Sequence, residues 1–126
     1  MRLLISFENF DIADGIPIYL QIILYLKRGM VSGMIQNGDG LPSRRNLSAL
    51  LGVNPNTIQK AYHLLEEEGL IQSQTGAKSL VCLDERKLSE IRKELLEGDI
   101  RSVVEALKQA GLSKAEAMAL MDRYWE

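Results

Sequence analysis

The sequence predicts a mostly α-helical chain with one small β-hairpin and a short two-helix tail, and three observations carry that expectation. A helical apolar period runs through most of the chain. Cap residues between Ser43 and Gly69 mark out a helix, a tight turn and a second helix. Two brief extended pieces then flank a turn before helical spacing resumes.

Near the start, Leu3, Ile5 and Phe7 alternate with other positions and read as a short edge strand. Pro17 suits the first position of a helix, where a missing N–H is not needed. Ile18, Ile22, Tyr25 and Leu26 follow it at helical spacing, so the first helix is expected to run to about Ile35 and to end in a loop over Gly38, Asp39 and Gly40.

Ser43 can cap a second helix, whose apolar stripe is Leu47, Leu50 and Leu51, and Gly52 can take the left-handed conformation that stops it. Asn54 followed by Pro55 marks the next start, because Asn is a strong N-cap and proline fits the first helical position. The third helix, to about Glu68, divides into two faces. Ile58, Ala61, Tyr62 and Leu65 have the spacing of a buried stripe, whereas Asn56, Gln59, Lys60 and His63 share the opposite side. Beyond Gly69, the pieces Leu70 to Ile71 and Leu80 to Leu83 flank a hairpin tip at Thr75 and Gly76, giving a wing.

The domain is therefore expected over residues 1–83 and the helical tail over 84–126. In the tail, Leu88, Ile91 and Leu95 form one stripe and Ile100, Val103, Val104 and Leu107 another, with Gly98 expected to bend or interrupt the rod. Ser113 and Glu116 have capping-box spacing and open a last helix whose apolar side includes Met118, Met121 and Trp125.

Length and composition exclude several classes. At 126 residues, the chain has room for one domain and an appendage, but not for a separate catalytic or effector domain. One cysteine, Cys82, and one histidine, His63, leave no disulfide, no clustered metal site and no assembly of nucleophile, base and orienting group. No cofactor and no enzymatic activity are expected. The apolar stretch around Ile16 to Leu26 is broken by Gln21 and falls short of the roughly 18 residues of a membrane span, and the N-terminus is too short for a signal core. A cytoplasmic protein without membrane contact is expected.

The net charge of −2 conceals a division along the chain. From Gly40 through Leu65 there is no Asp or Glu, while Arg44, Arg45 and Lys60 fall inside that window; the acids collect beyond it. The uncharged-to-basic side of the third helix is thus suited to a polyanion.

The run from Pro17 to Val81 resembles the DNA-binding domain of the GntR family of bacterial transcription regulators, a winged helix-turn-helix fold. The matching blocks are PIYLQI, G-D-x-LPS with Arg45, LGVNPNTIQKAY, and LEEEGLI leading into a glycine-containing wing. The NPNT wording and the short tail are most similar to the YtrA subfamily. The wing departs from the family pattern, since QTGAKS offers only Lys78 where arginines are common.

A helix-turn-helix places the N-terminal residues of its second helix toward base edges in the major groove. Asn54, Asn56, Thr57, Gln59 and Lys60 are accordingly the candidates on the third helix, with Asn56 and Gln59 able to pair bidentately with adenine and Asn54 serving first as the cap. The resemblance implies a phosphate contact for Arg45; Arg44 is a similar candidate, and Thr75, Gly76 and Lys78 are the wing's.

A second copy is expected to cover the tail stripes, with Leu88, Ile91, Leu95, Val103, Val104, Leu107, Met118, Met121 and Trp125 at the interface. The homodimer would present two reading helices about 34 Å apart to a pseudo-palindromic operator in double-stranded DNA. A small-molecule effector, where one acts, would sit between the tail helices or at that interface. The competing reading is a winged helix that binds protein and not DNA.

Overall fold

The computed structural model describes residues 4–74 and 78–126. Its elements, in order, are α1 (Ile18–Ser32), β1 (Gly40–Leu41), α2 (Arg44–Leu51), α3 (Pro55–Glu67), β2 (Ile71–Ser73), β3 (Ser79–Val81), α4 (Glu85–Gln109) and α5 (Lys114–Tyr124). They form two compact units, Met1–Ile91 and Arg92–Glu126, whose boundary falls inside α4. The first turn of α4 belongs to the first unit for a local reason: Lys87 donates its backbone N–H to Asp84 Oδ1 at 2.8 Å and its Nζ to Gly69 O at 2.6 Å.

In the first unit, α1, α2 and α3 bury one face each. Ile22, Leu26 and Met30 of α1 meet Leu47 of α2 and Ile58, Ala61, Tyr62 and Leu65 of α3 in the core, with Val81 closing it from the sheet. The predicted stripe of α3 is therefore the buried one. Lys27, itself buried, places Nζ 2.9 Å from Glu68 Oε1 and ties α1 to the end of α3.

The first helix is shorter than the spacing predicts. It stops at Gly33, whose φ of 86° is left-handed and whose N–H bonds to Met30 O. Ile35 then folds back and donates its N–H to Gly29 O at 3.0 Å. Its burial comes from that return, against a glycine whose added Cβ would lie 2.5 Å from Ile35 Cδ1. Helical spacing at Ile35 thus reflects packing and not helix.

The turn between α2 and α3 is fixed from both sides. Ser43 Oγ accepts from Asn46 N at the start of α2, and at its end Gly52, with φ 67°, donates to Ser48 O. Ser48 Oγ donates to Val53 O at 2.6 Å. Asn54 Oδ1 then accepts from Asn56 N at 2.8 Å, with Pro55 in the first turn of α3.

The sheet is three-stranded and antiparallel in the order β1-β3-β2. β2 and β3 form the expected hairpin, with Gln72 opposite Leu80 and Ser73 opposite Ser79. β1 is an addition: Gly40, expected in a loop, and its neighbour Leu41 pair with Leu80 and Ser79. The edge strand expected around Leu3, Ile5 and Phe7 is reduced, among the described residues, to a bridge between Leu4 and Gly40 and an Ile5 N–H bond to Gly40 O; Leu3 lies outside them. Ile5 and Phe7 are nonetheless buried, and Phe7 stacks on Tyr25 with ring centroids 4.9 Å apart.

Tyr62 connects core and turn. Its hydroxyl donates to Pro42 O at 2.7 Å, and burial pushes its ionisation far above the ordinary phenol range although Arg44 lies beside it. Tyr62→Phe leaves that carbonyl without its donor in a partly buried position and is expected to destabilise the first unit by about 1–3 kcal/mol. Urea denaturation with an unchanged slope is the check; a midpoint equal to that of the unmodified chain contradicts the expectation.

α4 passes through Gly98 without interruption over its 25 residues, so the break, one of the two outcomes expected there, does not occur. Nothing lies within 4 Å of an added Cβ at Gly98, so no close approach requires glycine there. α5 opens with a complete capping box, Ser113 to Glu116. The Ser113 backbone N–H, and then its side chain, hold the Glu116 carboxyl below its ordinary range. Leu96, Ile100, Val103 and Val104 on α4 and Met118, Leu120, Tyr124 and Trp125 at the other end of the chain are all exposed.

Candidate nucleic-acid interface

The acid-free window folds into α2, the turn and α3, and neither helix has an acidic residue in its first turn. The positive ends of both helix dipoles are therefore uncompensated by carboxylates of their own. Asn56, Gln59, Lys60 and His63 are exposed together on α3, opposite the buried stripe, and Thr57 is half-buried. Arg45, in the first turn of α2, is exposed as well.

The candidate residues differ in what their side chains are already doing. Asn54 is engaged as the N-cap of α3. Lys60 Nζ lies 4.1 Å above the ring centroid of Tyr19 on α1, a cation–π contact that orients it. His63 Nε2 lies 3.3 Å from Glu67 Oε1. Arg44 is held inside the fold: its Nη2 is 3.2 Å from Glu66 Oε1 and its guanidinium is 5.2 Å from the Tyr62 ring centroid. It is thus set apart from the exposed Arg45. On the wing, Lys78 is exposed, while Thr75 and Gly76 lie outside the described residues.

Tyr19 and Glu66 act on this surface without having been singled out in the sequence. Tyr19 reaches Lys60 from α1 and Glu66 reaches Arg44 from the far end of α3. Neither pairing follows helical or strand spacing, so no local pattern signals it. Among the described residues there is no group of His, Cys, Asp or Glu that could hold a metal ion, and no helix long and apolar enough to cross a membrane.

A helix, a fixed turn, a helix with a free polar face and an antiparallel sheet ending in a hairpin define a winged helix-turn-helix. The family model for bacterial regulatory proteins of the gntR family matches residues 18–81. The chain is 36% identical over 101 residues, 80% of its length and 73% of the relative's, to the HTH-type transcriptional repressor YtrA of Bacillus subtilis (strain 168). A GntR family transcriptional regulator from Listeria monocytogenes superposes with a TM-score of 0.76 at 30% identity, covering 89% of this chain and 98% of that one. The AraR DNA-binding domain, solved in complex with operator ORX1, shares the fold at a TM-score of 0.50 and 24% identity, covering 65% of this chain and 99% of that one. The chain belongs to the GntR family and is YtrA-like. It is a DNA-binding transcriptional regulator and not an enzyme.

Proposed function

We propose that the chain is a repressor that binds a pseudo-palindromic operator as a homodimer, reading bases with α3. The observation that carries this reading is the two-sidedness of α3: Ile58, Ala61, Tyr62 and Leu65 are wholly covered, while Asn56, Gln59 and Lys60 stand exposed on the other side. The similarity to a relative named as a repressor supports the direction of control.

The exposed apolar side chains of the second unit support the dimer. Val103 and Val104 are 43% and 44% exposed, and Met118 and Trp125 are 49% and 81% exposed. Together with half-buried Leu107 and Met121, they are the seam we assign. Ile91 and Leu95, expected in that seam, are buried in the single chain, and Leu88 is half-buried. These three therefore have less surface left for a second copy.

Arg45 is assigned a phosphate contact at the first turn of α2. Arg45→Ala is expected to weaken binding to all duplexes by a similar factor and to reduce the slope of log affinity against log salt by about one. Fluorescence anisotropy over a salt series measures both. An unchanged slope with lost base preference contradicts the assignment. Absence of any duplex binding in dilute salt removes the whole reading and favours a winged helix that binds protein.

A further inference from the structure

Between α2, α3 and β2, the polar side chains form one connected set. Glu66, on the last turn of α3, accepts two hydrogen bonds on a single oxygen, Oε1: from Arg44 Nη2 at 3.2 Å and from Ser73 Oγ at 2.7 Å. Arg44 is the first residue of α2 and Ser73 the last of β2. The two charged side chains are 26% and 31% exposed, and Arg44 Nε is buried without a hydrogen-bond partner. Arg44 therefore cannot turn outward without giving up both its carboxylate and its place over Tyr62.

Helix physics does not ask for an acid here. The last turn of a helix carries a partial negative charge, and Glu66 is followed by Glu67 and Glu68. What favours a carboxylate at this position is its tertiary partners. The hairpin it reaches is small, with β2 and β3 of three residues each, and β1 supports only β3, so β2 is, among the described residues, an edge strand with its outer side open. A charge-assisted bond to the last residue of β2 then adds a side-chain tie to the Leu70 N–H bond to Leu65 O and to the buried Ile71 and Val81 that hold the wing's base.

We infer that Glu66 is a positioning residue for DNA binding: it fixes the wing strand to α3, and Arg44 acts by holding Glu66 and not by contacting a phosphate. This rests on the DNA-binding reading above, with Lys78 as the wing's phosphate contact. Local cap chemistry sets the start of α3, and this bracket sets the distance between that helix and the wing.

The test uses the full chain, a duplex selected by that chain from a random pool, and a scrambled duplex of equal length. Ser73→Ala and Glu66→Ala are expected to bind both duplexes about 3- to 10-fold more weakly, to lose about one unit of salt slope and to keep the ratio between the two. Glu66→Gln keeps an oxygen that accepts from both partners but gives up the charge, and is expected to recover part of the affinity and slope lost in Glu66→Ala. Wild-type affinity and slope in Ser73→Ala, or a Glu66→Gln variant as weak as Glu66→Ala, overturns the inference. The Ser73 variant keeps the test valid should Glu66→Ala fail to fold.

Amide exchange without DNA separates this inference from the reading it rests on. Gln74 donates its N–H to Lys78 O next to the bracket. Ser73→Ala is expected to speed exchange of that amide about tenfold, and unchanged exchange overturns the bracket. A wild-type chain that ignores both duplexes removes the DNA reading instead, leaving exchange to decide the bracket.

Discussion

Replacing Asn56 and Gln59 by alanine is expected to collapse the chain's preference among DNA sequences while leaving its fold intact. Both side chains are exposed on α3, and alanine is a better helix former than either, so stability should change little. A bidentate amide contact to adenine is worth about 1–3 kcal/mol of discrimination, which corresponds to about 5- to 150-fold per contact. The measurement is the affinity ratio between a selected and a scrambled duplex for each variant. A fall in that ratio with little change on the scrambled duplex is expected; an unchanged ratio in both variants takes base reading away from α3.

The second large effect is expected from Val104→Glu. Val104 is 44% exposed on α4, so the single chain tolerates a carboxylate there. A two-fold seam would bury that carboxylate twice, once from each copy, at several kcal/mol apiece. Self-association is therefore expected to weaken at least about 100-fold, measured by light scattering or sedimentation at micromolar concentration. Binding to an isolated half-site should persist while binding to the full operator falls. A chain that is monomeric before the substitution, or dimeric after deletion of residues 84–126, contradicts the tail as the dimer seam.

Local chemistry was legible in the sequence. The caps at Ser43, Asn54 and Ser113, the stop at Gly52 and the buried stripe of α3 each depend on residues within a turn or two of each other. β1 was not legible, because Gly40 and Leu41 become a strand only by pairing with Ser79 and Leu80. The same reason separates Arg44 from Arg45. They are neighbours with the same charge, and a partner 22 residues away draws one into the fold. Ile91 and Leu95 were read correctly as apolar stripe residues, but a helical period does not say whether the chain itself or a second copy covers them.

The self-capped start of α3 has a kinetic consequence. Asn54 and Pro55 cap the first turn of the helix without help from any ligand, so on the proposed reading that turn needs no ordering when it meets a groove. On that reading the encounter is expected to be governed by diffusion and by the attraction between exposed cations and the polyanion. Discrimination between one stretch of genome and the next is left to the lifetime of the complex once formed.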